Sequence, residues 1–467
     1  MSRLLSLWFV LASAVAQTPV LAPAMLQAPP APPAPAEFAA RRAALARAVA
    51  KEHEGRHIVI VLRGGPGRDD MAAFVQDQDF LYLSGVAEPD LALLLVPGAD
   101  GALAVDELLV PPHSPFTATW NGEFLAPGDA AAQRTGFAAV GDVRALDRRL
   151  AQLLEPDADG KQPLLCTALH PAARLGSTPG QAMDAANAQK GDAFDGRPSR
   201  AGAFVERLQN DGVPTSKIAV GTIAGIDGAL AAMRVHKSPK EQELLRAAAA
   251  VAAQGIAEAM RSTRPGMFEY QVAAVARCVF SLRGAGPDAY AAIVGGGPNG
   301  CVLHYSACTR QLRDDDLIVM DYAPTLGGYA SDVTRTFPAS GRFSPAQRKL
   351  VQDVHDIQQQ LLAMVKPGAR ISDISRRCKE LLFERGYASD HGPCHHVGLA
   401  VHDPWCDELA AGMVITVEPG AYLRKQAMGC RIEDTVLVTA DGCEILSAAV
   451  PSTPDAIEAL MQGGTGR

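Results

Sequence analysis

No block of Lys or Arg stands out among the 467 residues, and the formal net charge is −8. That argues against nucleic acid or an anionic membrane surface as a partner. Beyond the first sixteen positions no stretch reaches eighteen consecutive apolar residues, so no spanning helix is expected. No CxxC pair occurs among the nine cysteines, which leaves a zinc knuckle or a thioredoxin-type motif unsupported. The odd count leaves at least one thiol unpaired. Cys301 and Cys308 lie near enough in sequence to bridge in an oxidising compartment, although spacing alone does not establish a disulfide. No internal repeat of roughly 20–50 residues is visible.

What the chain has is ample core material: 48% of residues are hydrophobic and 20% charged, enough for two domains of ordinary size. Arg3, the apolar run Leu4–Ala12 and the small-x-small triplet Ala14-Val15-Ala16 form a secretory signal pattern, with an uncleaved anchor as the alternative. The expected location is therefore exported, periplasmic or secreted. Gln17–Ala36 holds seven prolines and no charge, an extended tether. Good helix formers follow from Glu37. His57–Leu62 and Leu91–Val96 read as buried strands, and Leu146–Glu155 as a helix. The mixture predicts an α/β domain over 37–225. Met233–Lys240 reads as a junction, with Pro239 near the start of a helix. The text is then helix-rich and afterwards strand-rich, which predicts an α+β domain over 226–467.

Leu317–Phe337 (LIVMDYAPTLGGYASDVTRTF) sets two β-prone runs around a turn signal and predicts a hairpin. With Leu326 and Gly327 as the turn, Asp321 faces Asp332, the two Cβ atoms roughly 5 Å apart. Like charges that close repel, and burial adds several kcal/mol to the cost, so a cation is expected between them.

Further candidates follow. His391, His395, His396 and His402 crowd one short window, HGPCHHVGLAVHD, and with His304 make five of the eleven histidines. Periodicity does not choose among them: a continuous strand sets His395 and His402 on opposite faces, and Gly392-Pro393 argues against a regular helix. Glu418 interrupts the apolar run of VITVEPG. Arg431 and Glu433, two apart, share one face of a strand. Asp321, Asp332, Glu418 and Glu433 are thus four acids where apolar residues are expected. Their charge balances two divalent cations, and one neutral imidazole completes the shell. Hard oxygen donors with one His favour Mn²⁺, with Co²⁺ and Zn²⁺ as alternatives.

In that order, Asp321, Asp332, His395, Glu418 and Glu433 resemble the five-ligand dinuclear site of the "pita-bread" metallopeptidases, which include methionine aminopeptidase, prolidase and aminopeptidase P. The blocks IVGGGPNGCVLHY, YASDVTRTFP, HGPCHHVGLAVHD, TVEPGAY and RIED resemble the two proline-directed enzymes most. QDQDFLYLSG and TATWNGE are similar to the amino-terminal domain of aminopeptidase P. The resemblance implies that Asp321 binds one ion through both oxygens, that Asp332 and Glu433 bridge, and that His395 and Glu418 complete the set. It makes Glu418 the general base and places His304 and His391 among the proton-handling histidines. His402 would stabilise the tetrahedral intermediate through the substrate carbonyl, Arg431 would pin a ligand carboxylate, and Tyr422 would stand near the metals. His396 departs from the pattern, which usually has a bulky apolar or aromatic residue there, and Cys394 is a second departure.

The reaction implied is hydrolysis of an N-terminal Xaa–Pro bond in peptides with proline at position two. Prolidase, cutting only Xaa–Pro dipeptides, is the near alternative; a non-catalytic binding relative is a more distant one, since such proteins typically lose ligands. Creatinase shares the fold and lacks this metal set. The family commonly forms dimers or tetramers, sometimes bringing one chain's N-terminal domain to another's active site, where Trp120 is a candidate.

Overall fold

The computed structural model describes residues 28–67, 73–98, 101–156, 160–169, 200–213, 223–388 and 390–463. The leader, 1–16, and the tether up to residue 27 lie outside them. Residues 28–34 have no regular structure, and the first helix starts at Pro35, two residues ahead of the expected Glu37. Proline suits a first helical turn, where its missing N–H would have no partner in any case.

The N-terminal domain is built on β1 (Ile58–Arg63), β2 (Ala92–Pro97), β3 (Leu103–Val110), β4 (Ala139–Asp142), β5 (Leu164–Thr167) and β6 (Ile223–Gly225). They form one mixed sheet in the order β4-β3-β2-β1-β5-β6. β1 and β2 are near-continuous apolar runs because both faces are covered. Ile58, Ile60 and Leu62 pack with Leu45 and Val49 of the helix Pro35–Glu52, while Val59 and Val61 pack with Leu150 and Leu208 on the opposite side.

The C-terminal domain carries two small antiparallel sheets, each backed by a helix pair. β7 (Ile293–Gly296), β8 (Leu317–Asp321) and β11 (Thr334–Pro338) lie against the helices Pro239–Ser262 and Glu269–Leu282. Between β8 and β11 stands a short ribbon, β9 (Thr325–Leu326) with β10 (Tyr329–Ala330). β12 (Val414–Val417), β15 (Asp434–Val438) and β16 (Cys443–Ile445) lie against Pro345–Leu362 and Ile371–Glu384, with the ribbon β13 (Gly420–Leu423) and β14 (Met428–Arg431) alongside. A bridge between Thr334 and Glu433 joins the sheets, and the fully buried Arg335 reinforces it by donating to the Glu433 carbonyl and the Asp434 carboxylate, each at 2.6 Å.

The hairpin register differs from the expected one. Leu326 pairs with Tyr329, and Asp321 pairs with Thr334 rather than Asp332. The turn is Gly327-Gly328, whose φ angles are +58° and +88°. A two-residue turn of this hand needs positive φ at both central positions, which Leu326 resists and glycine accepts. The slip is two residues, so side chains keep their faces. The junction helix begins at Pro239 as expected, capped reciprocally by Ser238 and Glu241. All nine cysteines, Cys301 and Cys308 included, are free thiols. Among the described residues no helix is long and apolar enough to cross a membrane.

Candidate active site

The site lies where the two small sheets meet. Asp321 ends β8, Asp332 stands two residues before β11, Glu418 follows β12, and Glu433 sits between β14 and β15. Asp332, His395 and Glu433 bring one ligating atom each to within 4.8 Å of one another. His395 Nε2 is 3.3 Å from Asp332 Oδ2 and 3.4 Å from Glu418 Oε1. Asp321 is joined to Asp332 through one phenol: the Tyr290 hydroxyl is 2.6 Å from an oxygen of each. All five expected ligands thus form one group, buried but for the partly exposed Glu418.

A guanidinium lies on one of the two aspartates, Asp321, and not between them. Arg431 donates from Nη2 to Asp321 at 2.7 Å, from Nη1 to the Tyr422 hydroxyl at 2.9 Å and from Nε to Thr334 Oγ1 at 3.2 Å. Thr334 in turn donates to Glu433 Oε2 at 2.6 Å. Arg431 and Glu433 therefore converge on one threonine, although Arg431 ends β14 and Glu433 lies between β14 and β15, not on one strand face as expected. In this arrangement Arg431 pins and neutralises the carboxylate of Asp321, one of the expected ligands.

One positive charge does not balance four negative ones. Burial pushes the Asp332 carboxyl well above the usual range, and Asp321 and Glu418 push it further. Glu433 is raised by burial and by Asp332, and Glu418 by burial and by Glu433. Glu433 Oε1 is buried with no hydrogen-bond partner. An orphaned carboxylate oxygen beside three more acids and an imidazole is a fit for divalent cations, which supply the missing positive charge.

The imidazole is oriented for that task. His395 Nδ1 donates to the His396 carbonyl at 3.1 Å, leaving Nε2 unprotonated toward the acids. Burial lowers its pKa to about 4. His395 and His402 are brought together, ring centroids 4.2 Å apart, because the chain between them is an irregular loop and not a strand. His402 falls to about 3, chiefly through burial and then His395. His391, lowered to about 4 by burial, lies with Nδ1 3.7 Å from Glu418 and Nε2 3.0 Å from the Tyr422 hydroxyl. Gly420 makes that contact possible, since a Cβ there would stand 2.6 Å from the Tyr422 hydroxyl and 2.7 Å from His391 Nε2.

His304 sits in the exposed turn after Gly297–Cys301, near enough to disfavour protonation of His391, His395 and His402. His396 is fully buried, its Nε2 donating to the Cys406 carbonyl at 2.8 Å, and it does not join the acids. Cys394 is a buried thiol whose pKa burial raises. Tyr290, Thr334 and Thr416 were not anticipated. Thr416 Oγ1 accepts from the His395 N–H at 3.0 Å and lies 3.4 Å from Glu418.

A cavity of about 640 Å³ between the domains reaches this group at His402. Its walls include Phe38, Phe74 and Leu81 from the N-terminal domain and Tyr329 and Val401 from the other.

Four carboxylates and an imidazole held on strand ends, with further histidines around them and a cleft leading in, define a hydrolase that works with divalent metal ions. The profile for metallopeptidase family M24 matches residues 243–440, and that for the aminopeptidase P N-terminal domain matches 38–161. An Xaa-Pro aminopeptidase of Escherichia coli is 36% identical over 263 residues, 49% of this chain and 60% of that protein. One from Haemophilus influenzae is 30% identical over 424 residues, 83% of this chain and 88% of that protein. The solved structure of zinc-substituted E. coli aminopeptidase P in complex with product matches with a TM-score of 0.76 at 28% identity, covering 94% of this chain and all of that one. The chain belongs to the M24 metallopeptidases, with an aminopeptidase P-type N-terminal domain ahead of a pita-bread domain.

Proposed function

We propose that this protein hydrolyses the N-terminal Xaa–Pro bond of peptides with proline in second position, releasing the leading residue. The observation that carries the reading is the convergence of Asp321, Asp332, His395, Glu418 and Glu433, with one oxygen of Glu433 unpartnered.

These five residues would hold two divalent cations, which when bound acidify a shared water and polarise the carbonyl under attack. Glu418 accepts the proton of the attacking water. The raised affinity of its carboxyl for protons, from burial and Glu433, suits that task. His402, kept neutral by burial, offers an N–H to the substrate carbonyl as negative charge develops there. His391 stands beside the base, its Nδ1 3.7 Å from Glu418, while its Nε2 is hydrogen-bonded to the Tyr422 hydroxyl, which accepts from Arg431. An Xaa–Pro amide has no N–H to place in a β-ladder, and a site built on carbonyl recognition does not require one.

Manganese is our reading of the metal, supported by the oxygen-rich donor set with one imidazole. Export is supported by the N-terminal signal pattern. A homo-oligomer is supported by the helix Pro115–Asn121, which buries no residue and exposes Phe116 and Trp120 at 74% and 72%. Stripping with EDTA followed by Mn²⁺, Co²⁺ or Zn²⁺ add-back tests the activity and ranks the metals. An Xaa-Pro-Xaa tripeptide is expected to be cut; cleavage of the Xaa–Pro dipeptide alone would assign prolidase, and no cleavage of either after metal loading would end the reading.

A further inference from the structure

The histidine-rich loop ends in an acid that the chemistry above leaves unused. Asp403 is 1% exposed. Its Oδ1 accepts from Arg234 Nη2 at 2.5 Å and from the Ala400 N–H at 3.3 Å, and its Oδ2 accepts from Lys237 Nζ at 3.0 Å. Its own N–H donates to the His396 carbonyl at 2.9 Å, the same carbonyl that holds His395 Nδ1. Gly398 lies against the Asp403 carboxylate with no room for a Cβ. The loop from His395 to Asp403 is therefore folded around this one side chain.

Arg234 also reaches the other domain. Its Nη1 donates at 2.8 Å to Asp79, on the helix Gln78–Ser84. Asp79, Arg234, Lys237 and Asp403 form a charge-balanced cluster in which none is more than 4% exposed. Buried clusters of this kind seldom add net stability over apolar packing of the same volume; what they supply is fixed geometry. The geometry fixed here is that of the loop carrying His395 and His402, whose rings meet at its two ends.

We infer that Asp403, clamped by Arg234 and Lys237, is a positioning residue that sets the His402 imidazole, and that Asp79 makes the docked N-terminal domain part of that setting. The inference rests on the assignment of His402 to the substrate carbonyl. Misplacing a catalytic group by about 1 Å costs on the order of 100-fold in rate, so Asp403→Asn is expected to lower kcat roughly 10- to 100-fold.

The test is a double-mutant cycle on the Mn²⁺-loaded full-length protein with an Xaa-Pro-Xaa tripeptide, comparing wild type, Asp403→Asn, His402→Ala and the pair. If Asp403 acts through His402, Asp403→Asn costs less than about threefold once His402 is already alanine, with manganese content unchanged. Asp79→Asn is expected to lower kcat in the same non-additive way. If Asp403→Asn does not fold, Lys237→Met, which leaves Arg234 on Asp403, enters the same cycle, with Lys237→Arg restoring most of the rate. Losses that multiply, or a loss that follows melting temperature and metal content alone, overturn the positioning role. A wild-type protein without turnover overturns the assigned reaction itself and the inference with it, whereas a competent wild type with an additive cycle sinks only the inference.

Discussion

Glu418 carries the sharpest prediction at the scale of single residues. Glu418→Gln keeps the shape of the side chain and removes its ability to take a proton. General-base catalysis contributes about 10²- to 10⁴-fold, so kcat on a tripeptide is expected to fall by about that factor in Mn²⁺-saturated enzyme. Wild-type turnover in that variant would remove Glu418 from its assigned role.

The acids also predict a pH dependence. In metal-free protein the raised carboxyls of Asp332, Glu418 and Glu433 hold more protons folded than unfolded. The stability they contribute is present at low pH and is lost as pH rises through their folded values. The lowered histidines, His391, His395 and His396 at about 4 and His402 at about 3, act in the opposite sense, losing stability as pH falls from about 6.5. Above about pH 7 those histidines are neutral in both states and no longer oppose the carboxyls, while buried thiols such as Cys378, Cys394 and Cys430, raised by burial, add to the decline in the same sense. In EDTA the melting temperature should therefore decline from pH 7 to pH 9, and Mn²⁺ should flatten or reverse the decline. A rising curve in EDTA would contradict the buried-acid picture.

The ligand candidates were legible because a charged residue inside an apolar strand has no packing explanation. Tyr290, which touches both aspartates, was not: an aromatic residue just ahead of a strand reads as ordinary core. Arg234 and Asp79 were equally silent, because their partners are 169 and 155 positions away.

At the scale of elements, β8 and β11 show where pattern gives out. Alternation and the turn signal sufficed for the hairpin, but its register followed from backbone conformation at Gly327 and Gly328, a constraint that overrode the simpler choice of turn. The parity of the slip is why the acids still meet. The histidine loop was less readable still, since irregular backbone has no period to detect. A prediction belongs to the ribbon of β13 and β14. Gly429 lies so close to the Gly300 carbonyl that any Cβ would overlap it. Gly429→Ala should cost about 1–3 kcal/mol, the usual range for overpacking, and should lower activity by displacing the turn that carries His304. Denaturant titration alongside tripeptide kinetics measures both; an unchanged midpoint would mean that the turn yields at no cost.

At the scale of the whole molecule, the two domains share one apolar cluster. Leu45 and Leu83 from the first pack in the same core as Leu244, Tyr329 and Leu399 from the second. The Tyr329 hydroxyl donates to Glu241, and Arg41 lies 3.1 Å from that same carboxylate. Residues 226–467 expressed alone should therefore aggregate or melt well below the full chain, by light scattering and calorimetry; a monodisperse fragment of equal melting temperature would show the domains to be independent. Trp120→Ala together with Phe116→Ala should weaken self-association in sedimentation, leaving the melting temperature nearly unchanged because neither ring is buried.

The buried tie from Arg234 to acids on both sides has a bearing on diet. Halves tied in this way resist parting to admit a bulky guest at the slot that includes His402. A polypeptide whose leading residues dangle can thread it, whereas one whose leading residues are tucked into its own body stays outside until something unravels them.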